Sequence, residues 1–381
     1  MQVTRLDIRQ FRRFEQVRLL PGPGINVLVG DNGAGKTSVL EALHLMAYGR
    51  SFRGRVGDGL VRDGAKALEV FVEWRERSGH DPWPPLPDPG NSADVNNVLR
   101  TRKAGLRHAG RDWDGRLDGS PVTQLGELCA ALAVITFEPG SHALVSGPGE
   151  VRRRYLDWGL FHVEPTFLPL WRRYSRALKQ RNALLKARAN DAQLDAWDRE
   201  LAETGEPLGR HRQQYLESLQ AGFSRLAAEL APALGQLRLQ YLPGWRRDEL
   251  PLADALLLSR SRDLQAGFTT VGPHRADWRT EFSTLPGREA LSRGQAKLTA
   301  LIALFAQAEL HAVSRGEWPV IGFDDLASEL DRKHQARVLE WLLASRAQVF
   351  VTGTEPPAML AALDEVPALF HVEHGTIERI R

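Results

Sequence analysis

A single cysteine, Cys129, stands in 381 residues. One thiol can form neither an internal disulfide nor a zinc site, and in its apolar stretch it reads as a buried small side chain in a reducing compartment. Long apolar runs are missing too: Leu298 to Leu310 is broken by Gln307 and Glu309, short of the roughly 18 residues that a membrane span takes. The first fourteen residues alternate apolar with charged side chains and lack the apolar core of a signal peptide. These absences lead to the expectation of a soluble, cytoplasmic protein with no membrane partner. Charge of one sign is wanting as well. Fifty Lys and Arg against 47 Asp and Glu leave +3, so any nucleic-acid site must be a patch. Only seven of those cations are lysines (Lys36, Lys66, Lys103, Lys179, Lys186, Lys297 and Lys333), which a codon bias toward Arg explains; phosphate recognition by Arg is the sharper reading.

What is present is ordinary globular material, 43% hydrophobic and 25% charged, enough for a core and against disorder. The length suits two or three domains, or one large sheet with an inserted lobe. Val3 to Ile8 and Phe14 to Leu20 read as strands; Ile25-Asn-Val-Leu-Val29 is an apolar strand running into a glycine-rich loop and a helix from Lys36. Leu68 to Trp74 alternates as a strand. Gly79 to Asn97 is rich in Pro, Gly, Asn and Asp and reads as a surface loop, and Val98 to Val134 holds short runs expected to be antiparallel strands at a sheet edge. From Pro165 to Leu234 the period becomes helical, in stretches of about 20 to 30 residues punctuated by Pro207, Pro232 and Pro243; a compact helical lobe is expected, without a projecting coiled coil. Trp318 to Phe323 and Ala347 to Val351 read as central parallel strands with function at their carboxyl ends.

Gly30-Asp31-Asn32-Gly33-Ala34-Gly35-Lys36-Thr37 fits GxxxxGK[ST] between a strand and a helix. Such a loop turns backbone N–H groups onto a β-phosphate, with Lys36 on the β- and γ-phosphates and Thr37 as a Mg²⁺ ligand. Asp324 and Asp325 end an apolar strand. A Walker B carboxylate has to emerge from a strand adjacent to the P-loop strand, which makes Asp324 the second metal ligand and Asp325 the group to polarise water. Ser292-Arg293-Gly294-Gln295 opens an amphipathic helix. Alone it is an S-x-x-Q capping box, but the same geometry makes a helix N-terminus able to receive a γ-phosphate, and the order P-loop, helical stretch, this motif, Walker B favours that use.

In these motifs the chain resembles the ABC-type ATPase heads of the SMC family, and within it the bacterial recombination mediators. Ser292 to Gln295 is similar to the family's signature loop and Asp324 to Asp331 to its Walker B and D-loop; Arg152 to Pro165, Leu178 to Leu184 and Gly272 to Asp277 resemble stretches of the mediators. The resemblance implies an α/β fold, an ABC-type P-loop head with a mixed-sheet lobe and an inserted helical lobe. The expected division is 1–135 and 311–381 for the ATPase lobe and 136–310 for the helical one. It further implies ATP and Mg²⁺, slow DNA-stimulated hydrolysis, and binding to single- and double-stranded DNA at gap junctions. The implied partners are RecR and RecO, in promoting RecA loading for repair, replication restart and the SOS response. The active site is expected to be shared in an ATP-dependent homodimer, Lys36, Thr37, Asp324 and Asp325 of one copy facing Ser292, Arg293, Gly294 and Gln295 of another. Arg293 stands where transporters carry Gly, Glu138 falls about where a Q-loop glutamine belongs, and Thr352 replaces a switch histidine.

Basic clusters supply two candidate DNA strips: Arg152, Arg153, Arg154, Arg172, Arg173, Lys179 and Arg181, and alternatively Arg100, Arg102, Lys103, Arg107 and Arg111. Neither has the interleaved aromatics of a single-strand platform, so backbone contact to duplex is expected. His162 and His274 read as structural. Two other classes stay open: an energy-coupling subunit of a transporter, and a scaffold whose bound nucleotide only locks a dimer.

Overall fold

The computed structural model describes residues 1–54, 59–77, 99–110, 112–284, 291–357, 359–360 and 367–381. The expected loop from Gly79 to Asn97 and Arg111 lie outside them. The chain divides into one unit of Met1–Ser141 with Ala308–Arg381, and a second of His142–Gln307.

The first unit holds two six-stranded sheets. In one, β1 (Gln2–Phe11), β2 (Phe14–Leu19), β4 (Leu68–Arg77), β5 (Leu99–Ala109), β6 (Asp112–Leu117) and β7 (Ser120–Pro121) pair antiparallel in the order β2-β1-β4-β5-β6-β7. Its inward positions are apolar and its outward ones charged, as the period of two dictates. The other contains β3 (Ile25–Val29), β8 (Val134–Phe137), β11 (Val320–Phe323), β12 (Val349–Gly353), β13 (Ala368–Glu373) and β14 (Thr376–Arg379), in the order β14-β13-β3-β12-β11-β8, with only β14 antiparallel. Every residue of β3, β8, β11 and β12 is buried, the mark of parallel strands covered on both faces. Helix α1 (Lys36–Tyr48) joins the sheets: Val39, Leu40, Leu43 and Met46 lie in one apolar cluster with Leu6 and Ile8 of the first sheet and Leu28 and Phe350 of the second. A short helix α2 (Leu125–Ala131) carries Cys129, which is partly exposed and not fully buried as expected from its apolar neighbours; the burial it has pushes the thiol up to about 12.

The second unit is mostly helical: α3 (Ala143–Ser146), α4 (Gly149–Val163), α5 (Phe167–Lys186), α6 (Asp191–Leu230) and α7 (Leu252–Ala266), with an antiparallel pair β9 (Leu237–Leu242) and β10 (Asp277–Phe282). Pro207 does not break the helical stretch. α6 runs through it for 40 residues, because Leu201, Leu208, Tyr215, Leu219, Phe223 and Leu226 continue one buried face on both sides of the proline. Gly205 lets Leu252 approach; a Cβ there meets its Cδ2 at 2.5 Å. Among the described residues no long coiled coil is formed; α5 and α6 pack on each other.

Helix α8 (Arg293–Arg315) begins in the second unit and ends in the first. It is the one helix among the described residues long and apolar enough to cross a membrane by length and composition, Gln307 and Glu309 not lowering its mean hydropathy enough to prevent that. Seventy-two per cent of the qualifying window is buried in the fold, because alanine-rich packing on several sides gives the same composition as a span.

Candidate nucleotide site

The site grows out of the carboxyl ends of β3, β12 and β11. Gly30 leaves β3 at φ +150°, and a Cβ on it sits 2.1 Å from the Val372 carbonyl oxygen. Only glycine passes there. Gly35 caps α1 at φ +118°, with Phe14 packed 3.0 Å from where a Cβ would stand. The loop between them wraps Lys36, whose Nζ donates to the Gly30 oxygen at 2.7 Å and the Asp31 oxygen at 2.9 Å. Thr37 follows and donates its hydroxyl to Asp324 Oδ1 at 2.7 Å.

Asp324 reaches Thr37 by a different strand order from the one expected. β11 is not adjacent to β3; β12 lies between them. Because all three strands are parallel and in register, their carboxyl ends align, and Thr352 of β12 fills the intervening position, donating to Asp324 Oδ1 at 2.8 Å. The Asp324 N–H donates to the Phe137 oxygen of β8, which fixes its backbone. Burial pushes its carboxyl above the ordinary aspartate range; the Thr37 and Thr352 hydroxyls and the Arg53 charge pull the other way, and Asp325 adds to the rise. Asp325 takes φ +54° at the head of α9 (Leu326–Glu329), a left-handed residue that is not glycine, and donates its N–H to Thr352 Oγ1 at 2.9 Å.

These groups line a cavity of about 330 Å³ with Arg12, Arg13, Asn32, Gly33, Ser38, Arg53 and Thr354. Arg12, Arg13 and Arg53 were not singled out from the sequence. A signal existed: Arg12 and Arg13 form a two-residue hairpin turn between Phe11 and Phe14, a place for Gly, Asn or Asp. Arg12 holds φ +53° there and is tied through Nε and Nη2 to the fully buried Glu41 of α1, at 3.0 and 2.7 Å, while Nη1 donates to the Gly59 oxygen. The ion pair pins the turn beside the loop, with the exposed Arg13 Nη1 3.6 Å from the position of a Gly33 Cβ. With the Arg12 charge balanced by Glu41, the lining offers Lys36, Arg13 and Arg53 against Asp324 and Asp325. That arrangement fits a polyphosphate with a divalent cation between it and the carboxylates. Thr37 and Asp324 are the side chains that fit the cation; among the described residues no cluster of three or more His, Cys, Asp or Glu offers an all-protein metal site.

Ser292, Arg293, Gly294 and Gln295 lie in the other unit at the head of α8 and do not line this cavity. Their capping box is formed: Ser292 N–H donates to Gln295 Oε1 at 2.8 Å and Gln295 N–H to Ser292 Oγ at 3.2 Å. Glu138 stays out of the cavity and folds back on its own turn, accepting the Gly140 N–H at 2.6 Å.

Several of the basic residues turn out to be internal. Arg181 is fully buried and bonded to Asp198, to Asp263 at 2.7 Å and to Thr269 at 2.9 Å; Arg152 is 3% exposed and grips Asp277 at 2.6 and 2.9 Å. Both leave the DNA strip, since a buried guanidinium between carboxylates is a structural ion pair. Arg102 is likewise held by Asp118 and Glu76. His274 bonds Tyr174 Oη through Nδ1 at 2.7 Å and the Thr269 oxygen through Nε2 at 2.9 Å, and burial lowers it to about 4.

A glycine-rich loop opening a helix beside a buried strand-end carboxylate, in a chain with a helical unit inserted between its halves, defines an ABC-type ATPase head. The model of the RecF/RecN/SMC N-terminal domain matches residues 2–378. DNA replication and repair protein RecF of Stenotrophomonas maltophilia (strain R551-3) is 67% identical over 378 residues, 99% of either chain, and that of Xanthomonas axonopodis pv. citri (strain 306) is 62% identical over 100% of this chain and 99% of its own. Among solved structures, the recombination mediator protein RecF with ATP superposes with a TM-score of 0.84 at 24% identity, covering 100% of this chain and 98% of that one; a SmcHead bound to a ScpA domain gives 0.58 at 17%, over 100% and 97%. The chain belongs to the RecF/RecN/SMC family, in its RecF branch.

Proposed function

We propose that this protein is an ATP-dependent DNA-binding recombination mediator, acting at gaps and duplex/single-strand junctions with RecO and RecR to promote RecA loading in repair, replication restart and the SOS response. The observation that carries the reading is the Thr37–Asp324 hydrogen bond, which joins the P-loop to a buried carboxylate at one end of the cavity. Lys36 and the N–H groups of Gly33 to Thr37 hold the β- and γ-phosphates of ATP, and Arg13 and Arg53 offset the remaining charge. Mg²⁺, held by Thr37 and Asp324, supplies charge neutralisation on the phosphate oxygens when bound. Asp325 orients the attacking water, and its strained backbone keeps the carboxylate at the cavity wall. A second copy supplies Ser292 to Gln295, as in the shared site that the resemblance to the family's heads implies. Its capped helix start offers N–H groups and Arg293 to the γ-phosphate. ATP is then the adhesive of a homodimer in the cytoplasm, and slow, DNA-stimulated hydrolysis releases it.

Sedimentation of the wild-type chain with Mg-ATP, with ADP and without nucleotide, each with and without gapped DNA, tests this. A dimer with ATP alone is expected, stabilised further by the DNA. A monomer at saturating, independently measured Mg-ATP binding overturns the shared site. Single-turnover phosphate release unaffected by gapped DNA leaves the locking-scaffold alternative in its place.

A further inference from the structure

Helix α5 carries six cations and no acid in its 20 residues, in a chain where acids occur about once in eight positions. A bias toward Arg does not remove carboxylates, and the neighbouring α6 has eight of them. Four of the six cations, Arg172, Arg176, Lys179 and Lys186, are exposed and fall within an arc of about 80° at 3.6 residues per turn. The opposite side of the helix is the buried one, Phe167, Tyr174, Ala177, Arg181 and Leu185. None of the four has an ion pair among the described residues. The other two are used internally: Arg181 in its buried network, and Arg173 with Glu200 at 3.0 Å. The four free charges span about 21 Å along a straight rod at 1.5 Å per residue.

We propose that this stripe is a binding surface for the phosphodiester backbone of duplex nucleic acid. The inference rests on the DNA-binding reading above and places it on one helix face. Charge complementarity selects the partner. Four unpaired cations in a row of this length match several successive phosphates, and guanidinium groups suit phosphate oxygens. A single strand is not the fit, because the stripe has no interleaved aromatics; Trp171, 39% exposed, stands alone at its start. The alternative strip on β5 is weaker. Lys103 faces Glu73 at 3.6 Å and Arg107 faces Glu69 at 3.8 Å, so its charges are already offset.

The test is equilibrium binding of a fluorescent 30-base-pair duplex across a salt series. It compares the wild-type chain, the variant Arg172→Gln/Arg176→Gln/Lys179→Gln/Lys186→Gln, and the control Lys103→Gln/Arg107→Gln. Each phosphate contact contributes about 0.9 to the slope of log affinity against log salt. The helix variant is therefore expected to flatten the slope by about 3 to 4, with ATP binding and thermal melting unchanged, and each single substitution to flatten it by about one unit. The control should keep the wild-type slope. An unaltered slope in the helix variant, or equal losses in the control, overturns the surface while leaving the DNA reading in place. A wild-type chain that binds no duplex with or without ATP removes both. Loss of binding to a polyglutamate probe with duplex affinity intact assigns the stripe to an acidic protein and overturns the proposal.

Discussion

Burial of Asp324 works against its ionisation. Its folded pKa is raised by burial, so the stability it contributes is greatest when it is protonated, below the unfolded value near 3.8, and is lost as pH rises through the raised value. Asparagine resembles the protonated acid. Asp324→Asn is therefore expected to leave stability at pH 7 unchanged or raise it by about 1 kcal/mol, while ATP hydrolysis falls about a hundredfold or more, measured by urea unfolding beside phosphate release. Gly30→Ala should show the reverse order of effects. Its Cβ meets the Val372 oxygen at 2.1 Å, and the expected loss of about 3 kcal/mol or more is read from the same unfolding curves. The loop and the two aspartates were legible as residues, because glycine spacing and a strand ending in acids are local patterns. Arg13 and Arg53 were not: a hairpin turn tied by Arg12 to Glu41, 29 positions away, brings Arg13 to the cavity, and Arg53 is held through Ser51, whose hydroxyl donates to the same Glu41.

Among elements, parallel strands announce themselves by unbroken apolar runs, and β3, β11 and β12 were readable for that reason. Their order was not. Which of two fully buried strands lies nearer the P-loop strand is a question of long-range pairing, on which composition is silent. The same limit explains α6, where a proline that stops an isolated helix is overridden by burial on either side of it. Arg181 illustrates how charge misleads at this scale: in sequence it is one of a row of cations, in the helical unit it is the hub of Asp198, Asp263 and Thr269. Arg181→Met leaves the buried Asp263 without its cation, while Asp198 keeps Arg260, and is expected to cost about 3 to 5 kcal/mol in chemical denaturation, without changing the salt slope of DNA binding.

For the molecule as a whole, buried histidines weigh on the response to acid, and among the described residues His44, His274 and His311 are lowered furthest, with His108 lowered in the same direction. His44 and His311 are lowered by burial to about 3 and His274 to about 4, against 6.5 when exposed. In the unfolded chain each takes a proton below about pH 6.5; in the fold none does until the pH is near 4. Their stabilising effect is thus complete above pH 6.5 and declines toward pH 4, at up to about 4 kcal/mol per pH unit for the three together. Denaturation midpoints at pH 7, 6 and 5 should fall accordingly, and less steeply with His44→Gln and His311→Gln in place. The second unit contains the stretch from Pro165 to Leu234 whose helical period the sequence displays.

One hydroxyl at the end of β12 is bonded twice. Thr352 gives its only proton to Asp324 and takes one from the amide of Asp325, so its orientation is set by whether the carboxylate remains available to it. A cation held by Asp324 would compete with Thr352 for that carboxylate, and through Thr352 the competition would reach the amide at the head of α9. A methyl in place of that oxygen, as in Thr352→Val, keeps the shape and deafens the listener: metal occupancy then ceases to register in the amide exchange of Asp325.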